Sequence, residues 1–282
     1  MGDADAASPA ATTTAAQRGR LVLVPNALDL GAAPQDLSAV LPQAVLHQAA
    51  RLQHWLVEDA RSARAFLKRV NGVVPLQQPL QSLAITELPR PQKGPQGRRP
   101  EAASAANERD TAFKTLLAPA LAGHDIGLLS EAGLPAVADP GAAVVAAAHA
   151  QGLTVLPLPG PSSLLLALAA SGLDGQSFAF VGYLPQDAAA RRERIRELEA
   201  ASRRLQQTQI FIETPYRNNA LLAALLECAA PATRLSVSQA LTLPEGTSRT
   251  ASIAQWRRMQ AAQPAQAPLL SDRLPAVFLV QG

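Results

Sequence analysis

Between residues 20 and 172, short apolar runs alternate with stretches of helical pattern, and each run ends on Pro, Gly or an acid. Few folds accommodate that rhythm. Neighbouring parallel strands need long crossover connections, and helices supply them. The runs "RLVLVP" at 20–25, "HWLV" at 54–57, "DIGLLS" at 125–130 and "LTVLP" at 153–157 read as strands. Helical patterns follow them: 36–49 with Asp36 or Ser38 at its start and Pro42 inside, 62–70, 107–124 ended near Gly123, 142–152 with Gly152 as its stop, and 162–172. The predicted class is α/β, a doubly wound, mostly parallel sheet.

The rest of the chain is denser in strands. "FAFVGYLP", "QTQIFIETP", "RLSVSQALT" and "PAVFLVQG" read as strands, separated by a charged helix over 188–205, an apolar one over 218–229 and a short one near 252–259. This predicts a second, mixed-sheet α/β domain. The expected division is a disordered lead over 1–19, an N-terminal domain over 20–158 and a C-terminal domain over 159–282. A Pro-, Gly- and Arg-rich loop falls at 88–104.

Composition narrows the chemistry. Of 282 residues, 48% are hydrophobic and only 4% aromatic, which suits helices packed on a buried sheet. The single cysteine, Cys228, excludes a disulfide framework and a cysteine-based zinc site. The four histidines are scattered, so no metal is expected. The opening residues carry two acids and no apolar core, which is not the pattern of a secretion signal. The most apolar run, "SSLLLALAAS", is far short of the roughly 20 residues that span a bilayer. No membrane contact and a cytoplasmic location are the expectations. The net charge of +3 permits an anionic partner without requiring one.

In an open parallel sheet, ligands bind beyond the carboxyl ends of the strands. The turns there are "VPNALDLG", "VEDARSAR", "SEAGLPAVADPG" and "LPLPGPSS", with "ETPYRNN" following a later strand. None is a G-x-G-x-x-G or G-x-x-x-x-G-K-[ST] loop, so the usual dinucleotide and ATP routes are disfavoured. "SEAGLPAVADPG" is the most informative of them. Glycine lets backbone approach a ligand, proline stiffens the turn before binding, and free N–H groups at a helix start suit a carboxylate. Taken alone, Asp139 reads as the cap of the helix after it.

The runs "LLSEAGLPAVADPG", "VLPLPGPSSLLLALAASGL", "FVGYLP", "IFIETPYR" and "VFLVQG", in that order, resemble the tetrapyrrole-methylase-like S-adenosylmethionine-dependent methyltransferases. The nearest branch is the one that methylates a cytidine ribose 2′-hydroxyl of small-subunit (16S) ribosomal RNA. The resemblance covers about 21–282 and is most specific over 127–217. It implies a two-domain fold with S-adenosylmethionine in the cleft between domains, and a homodimer. It places Glu131, Ala132 and Gly133 at the cofactor, with Ser162 and Ser163 at the next helix start. Phe211, Ile212 and Ala240 would make the second domain's contacts.

On the acceptor side the resemblance points to Glu58, Asp59, Arg61, Asn107 and Glu108, with Glu58 and Glu108 as candidates to take a hydroxyl proton. Glu58–Arg61 also reads as an ion cluster at a helix start. "ETPYR" offers Glu213, Tyr216 and Arg217, either to grip RNA or as a structural Arg–Glu pair. Relatives carry Thr between the acids and the Arg of the "VEDAR" turn, where this chain has Ala60. They also carry an acid and a lysine in the stretch that here reads Gln239–Pro244. The loop arginines Arg90, Arg98 and Arg99 with Lys93, and the six arginines of 191–204, would meet an RNA backbone or stay solvated. No DNA partner is expected. Three readings stand at this point: a ribosomal RNA methyltransferase, a methylase of a tetrapyrrole or other small molecule, and a non-catalytic protein that keeps the fold.

Overall fold

The computed structural model describes residues 18–28, 36–89, 112–263 and 268–282. The expected lead up to residue 17, the loop from Arg90 onward, and Asn107 and Glu108 lie outside them.

The first half builds one parallel sheet. Strands β1 (Arg20–Val24), β2 (His54–Val57), β3 (Ala84–Glu87), β4 (Ile126–Leu129) and β5 (Thr154–Pro157) lie in the order β3-β2-β4-β1-β5. Every pairing among them is parallel. Helices α1 (Gln43–Arg51), α2 (Ala60–Val73), α3 (Ala118–Leu121) and α4 (Ala142–Ala150) connect them. Pro42 does break the first helical pattern: Asp36 caps a short 3-10 turn over Leu37–Ala39, and α1 starts only after Pro42. Missing its N–H, proline is tolerated at such a start and not inside.

All four residues of β4 are buried, as a strand covered on both faces requires. One face packs Ile126 and Leu128 against Leu117, Val144 and Ala148. The other packs Leu129 with Trp55, Leu46, Phe66 and Val70. Each such side chain contributes roughly 1.5–3 kcal/mol by leaving water. Gly127 is fitted to this core, because a Cβ there would meet the Trp55 ring at 2.6 Å.

The second half forms a mixed sheet. Beyond α5 (Ser163–Ser171) come β6 (Phe178–Tyr183), α6 (Ala188–Leu205), β7 (Thr208–Glu213) and α7 (Asn218–Cys228). They are followed by β8 (Arg234–Gln239), β9 (Thr247–Ser252), α8 (Ile253–Ala262) and β10 (Ala276–Gln281). The order is β6-β7-β10-β8-β9, with β6 and β7 parallel and the rest antiparallel. Helices α6, α7 and α8 cover one face through Ile195, Leu198, Leu221, Leu225 and Trp256. On the other face Leu164, Ala167 and Leu168 of α5 meet Ile210, Val277 and Leu279. The chain therefore leaves the first sheet after Pro157, and the next helix already packs on the second.

Two strands were not legible as such in the sequence. They are β3, with the short sequence AITE, and β9, with the polar sequence TSRTAS; both are sheet edges. Leu205, expected on the packed face of the charged helix with Ile195 and Leu198, is 48% exposed. The helix ends there, and Gln206 turns the chain in the left-handed region.

Candidate active site

The site is built from turns at the carboxyl ends of β1, β4 and β5, closed by the second sheet. Beyond β1, Asn26 is buried and reaches the loop after β4. Its backbone exchanges two hydrogen bonds with Gly133, both 2.9 Å, and its side-chain amide donates to the Ser130 and Glu131 carbonyls. Beyond β5, Gly160 lies directly on Pro25, since a Cβ on it would come within 2.3 Å of that ring. These contacts hold three separate turns in one fixed arrangement.

Between them and the second sheet lies a cavity of about 210 Å³. Gly133, Ser162, Ile212 and Ala240 are in its wall, as are Ala132 and Ser163. So six of the eight residues expected at the cofactor converge there. Glu131 is exposed and does not line the cavity, and Phe211 is the other exception. The Phe211 side chain stacks on Phe278 at 5.8 Å on the far face of the sheet, 1% exposed, so only its backbone faces the cavity side. Alternation along β7 causes this: Ile212 points in and Phe211 out.

The walls are strained. Non-glycine residues in the left-handed region include Ala136 and Ala138 after β4, and Ala240 and Thr242 after β8. Each such residue costs about 1–3 kcal/mol, and such strain gathers at ligand sites. Gly133, at φ 72°, adopts the same region without that cost. Ser162 opens α5 with no capping bond from its side chain. It is 8% exposed, lines the cavity and takes no hydroxyl partner among the described residues. A hydroxyl that opens on a cavity beside unpaired helix N–H groups is arranged for an anionic or polar ligand atom.

The acids divide into two kinds. Asp59 caps α2, accepting from the Ser62 N–H at 2.7 Å and the Ser62 hydroxyl at 2.8 Å, which hold its carboxyl below the usual range. Glu87 supports the same helix start by accepting from the Ala60 N–H. Arg61, in the first turn of that helix, is exposed. Of the acceptor candidates in this turn, Glu58 is the one that meets the loop after β4, at the Glu131 backbone. Burial raises its carboxyl, the Glu131 N–H it binds lowers it, and the charges of Glu131 and Asp59 raise it further.

Asp139 corrects the sequence reading. Gly141, at φ 129°, caps α4 with no side-chain bond, so Asp139 is not the cap. It lines the cavity instead. Burial pushes its carboxyl up to about 6, the repulsion of Glu58 adds to this, the Ser130 hydroxyl opposes it, and Glu131 adds a little more. The sequence held a signal for this role in the prolines and glycine around Asp139, and it was assigned to the helix instead. Asn26 was missed because a lone Asn after a strand has no signature.

Glu213, buried at the end of β7, forms an ion pair with Arg217 at 2.7 Å. "ETPYR" therefore does carry the Arg–Glu pair. Tyr216 beside it is 75% exposed, and Tyr183 at the cavity mouth is 58% exposed. Gln239 holds the 271–274 segment, donating to the Ser271 and Leu274 carbonyls and accepting from the Ser271 N–H. It thereby fixes the start of the turn that follows β8. No group of acids, histidines and cysteine that could hold a metal occurs among the described residues, and no helix there is long and apolar enough to cross a membrane.

The chain is 40% identical over 119 residues to a "Ribosomal RNA small subunit methyltransferase I" of Xylella fastidiosa, covering 42% of each chain. It is 44% identical over 105 residues to the Bacillus subtilis protein of that name, covering 37% of this chain and 35% of that one. The matches thus span about two fifths of these relatives. Superposed on the uroporphyrin-III-C-methyltransferase of Thermus thermophilus, the fold gives a TM-score of 0.45 at 18% identity, over 94% of this chain and 93% of that one. The family model for tetrapyrrole (corrin/porphyrin) methylases matches residues 56–256, which hold every described wall residue of the cavity except those after β1 and at the start of β10. The chain belongs to the tetrapyrrole (corrin/porphyrin) methylase family.

Proposed function

We propose that this chain is an S-adenosylmethionine-dependent methyltransferase that methylates a ribose 2′-hydroxyl of small-subunit ribosomal RNA. The observation that carries the reading is the convergence of Gly133, Ser162, Ile212 and Ala240 on one strained cavity. The relatives named for small-subunit ribosomal RNA favour that acceptor over a tetrapyrrole.

In this reading the Ser162 hydroxyl and the first N–H groups of α5 hold the cofactor's carboxylate. The apolar wall from Ile212, Leu241 and Val277 accepts its uncharged parts, and the Ala132–Gly133 backbone faces the sugar or base. When bound, the cofactor supplies a methyl group on a sulfonium. The protein's main task is alignment, since displacement requires the acceptor oxygen, carbon and sulfur in line. Glu58 and Glu108 are the candidates for taking the hydroxyl proton, with Asp59, Arg61 and Asn107 as the other acceptor-side residues. Tyr183 and Tyr216 offer exposed rings on which an unpaired base can stack. We place the domain boundary at residues 158 and 159, and take the working form to be a homodimer in the cytoplasm.

The test is methyl transfer from radiolabelled S-adenosylmethionine to small ribosomal subunits that lack the modification. Wild-type protein should label one ribose. Ser163→Trp, an exposed wall position where a large ring enters the cavity, should fold normally yet weaken cofactor binding by at least about tenfold and abolish labelling. Label appearing in a porphyrin precursor and not in the RNA would reassign the acceptor.

A further inference from the structure

Three carboxyl groups come from two different strand ends to one side of the cavity. Glu58 follows β2, Glu131 follows β4, and Asp139 lies further along the same loop, in the wall itself. The charges acting on Asp139, those of Glu58 and Glu131, are both negative. Arg217, the cation nearest this end among the groups that act on the mouth residue Tyr183, is already tied to Glu213. Among the described residues no cation acts on Asp139; like charges gathered without a counter-ion are costly, and such a group leaves a place for positive charge. The same cavity is lined by Ser162 at the start of α5, a residue 8% exposed whose side chain makes no capping bond, a donor surface suited to a negative group. Of the three acids Asp139 is the one in the wall, with Glu58 and Glu131 acting on it, and Ser162 supplies a donor to the same cavity.

We propose that Asp139, supported by Glu58 and Glu131, is a specificity-determining residue that makes this cavity prefer the positively charged sulfonium cofactor over the neutral thioether left after methyl transfer. This rests on the cofactor reading above. The two molecules share their amino-acid, ribose and base parts and differ by one methyl group and one positive charge. A donor surface such as Ser162 therefore treats them alike, and only charge near the sulfur separates them. A carboxylate does so in the useful direction: it holds the substrate and loosens the product at the moment the charge disappears.

The groups that face Asp139 fix how the preference depends on pH. They are Glu58, Glu131 and the Ser130 hydroxyl, with the phenol of Tyr183 and the Glu213–Arg217 pair beyond. Burial and repulsion let Asp139 keep its proton to about 6. Below that it is neutral and offers the sulfonium little. Above it the full charge is present. Tyr183 is raised further from neutrality and stays uncharged over this range.

The measurement is calorimetric binding of S-adenosylmethionine and of S-adenosylhomocysteine, each from pH 5 to pH 8, to wild type and to Asp139→Asn. The expected wild-type result is an affinity ratio favouring the sulfonium that grows about tenfold across this range. Tenfold corresponds to about 1.4 kcal/mol, the scale of one charge–charge contact in a partly solvated site. In Asp139→Asn the ratio should stay near its pH 5 value while homocysteine-form affinity changes by less than about threefold. A ratio that is flat with pH in wild type, or that still grows in the variant, overturns the proposal. Wild-type protein that binds neither molecule overturns the cofactor reading itself, and the proposal with it. Glu58→Gln gives a second check: it should reduce the rise without removing it.

Discussion

At the scale of the residue, Asp139 shows how function and stability oppose each other here. Its folded carboxyl titrates near 6, where a free aspartate titrates near 4. The folded chain therefore binds this proton more tightly than the unfolded chain does. Between about pH 4 and pH 6 the unfolded state loses its proton first, and stability falls as pH rises. Above 6 the cost is fully present. Asp139→Asn removes it, so the variant should be more stable than wild type at pH 7.5 and gain nothing at pH 4. Because the side chain is partly open to water, the gain is discounted to about 1 kcal/mol. For a chain of this size that is a rise of about 2–4 °C in Tm. Melting curves of both proteins without ligand, at the two pH values, check it. A gain equal at both would show that the cost of charging the buried carboxyl is not the cause.

At the scale of the element, the sequence revealed most where the pattern was local. The strand HWLV, the helix after Gly141 and the left-handed stop at Gly172 are each dictated by a few adjacent residues, and each stands where periodicity and glycine place it. The edge strands β3 and β9 escaped notice because an edge needs no apolar face; their neighbours supply the pairing. The site was half legible. "SEAG" and "PGPSS" announce backbone turns, and both turns reach the cavity. What the sequence hid is contact across the chain: Asn26 bonding to Gly133, or Gly160 against Pro25. That last contact supports a second prediction. Gly160→Ala places a methyl 2.3 Å from a proline carbon, and neither partner is a flexible side chain. The loop after β5 must move, carrying Ser162 with it. Destabilisation of about 1–3 kcal/mol is expected, together with weaker cofactor binding. Denaturant unfolding and calorimetry read the two effects separately. Loss of stability with unchanged binding would mean that the loop adjusts before Ser162 does.

At the scale of the whole molecule, the second sheet is unevenly covered. Register pairs Phe178 with Thr208 and Phe180 with Ile210, so both rings share the face on which α5 lies. Helix α5 contacts β8, β9 and β10 and leaves the β6 edge open. Phe178 is 41% exposed and Phe180 37%. Large apolar side chains grouped at a sheet edge mark an association surface more often than a solvated one. On the proposed homodimer, a charge placed in this strip should separate the subunits. Phe180→Glu keeps β6 paired through its backbone, since its ring is already part-solvated, yet puts a carboxylate where two apolar surfaces would meet. Sedimentation at micromolar concentration should show wild type as a dimer and the variant as a folded monomer. The variant's far-ultraviolet spectrum should be unchanged and its melting temperature should no longer depend on protein concentration. Wild type sedimenting as a monomer removes the homodimer from the reading, and the exposed strip would then have to be explained by the RNA side. Charge argues against that second use: Arg192, Arg194 and Arg203 of the arginine-rich α6 are paired with Glu227, Glu197 and Glu199, while Arg196 and Arg204 are exposed. RNA contact through α6 would therefore rest on few free cations, giving a shallow salt dependence there, whereas an apolar dimer strip should hold as salt rises.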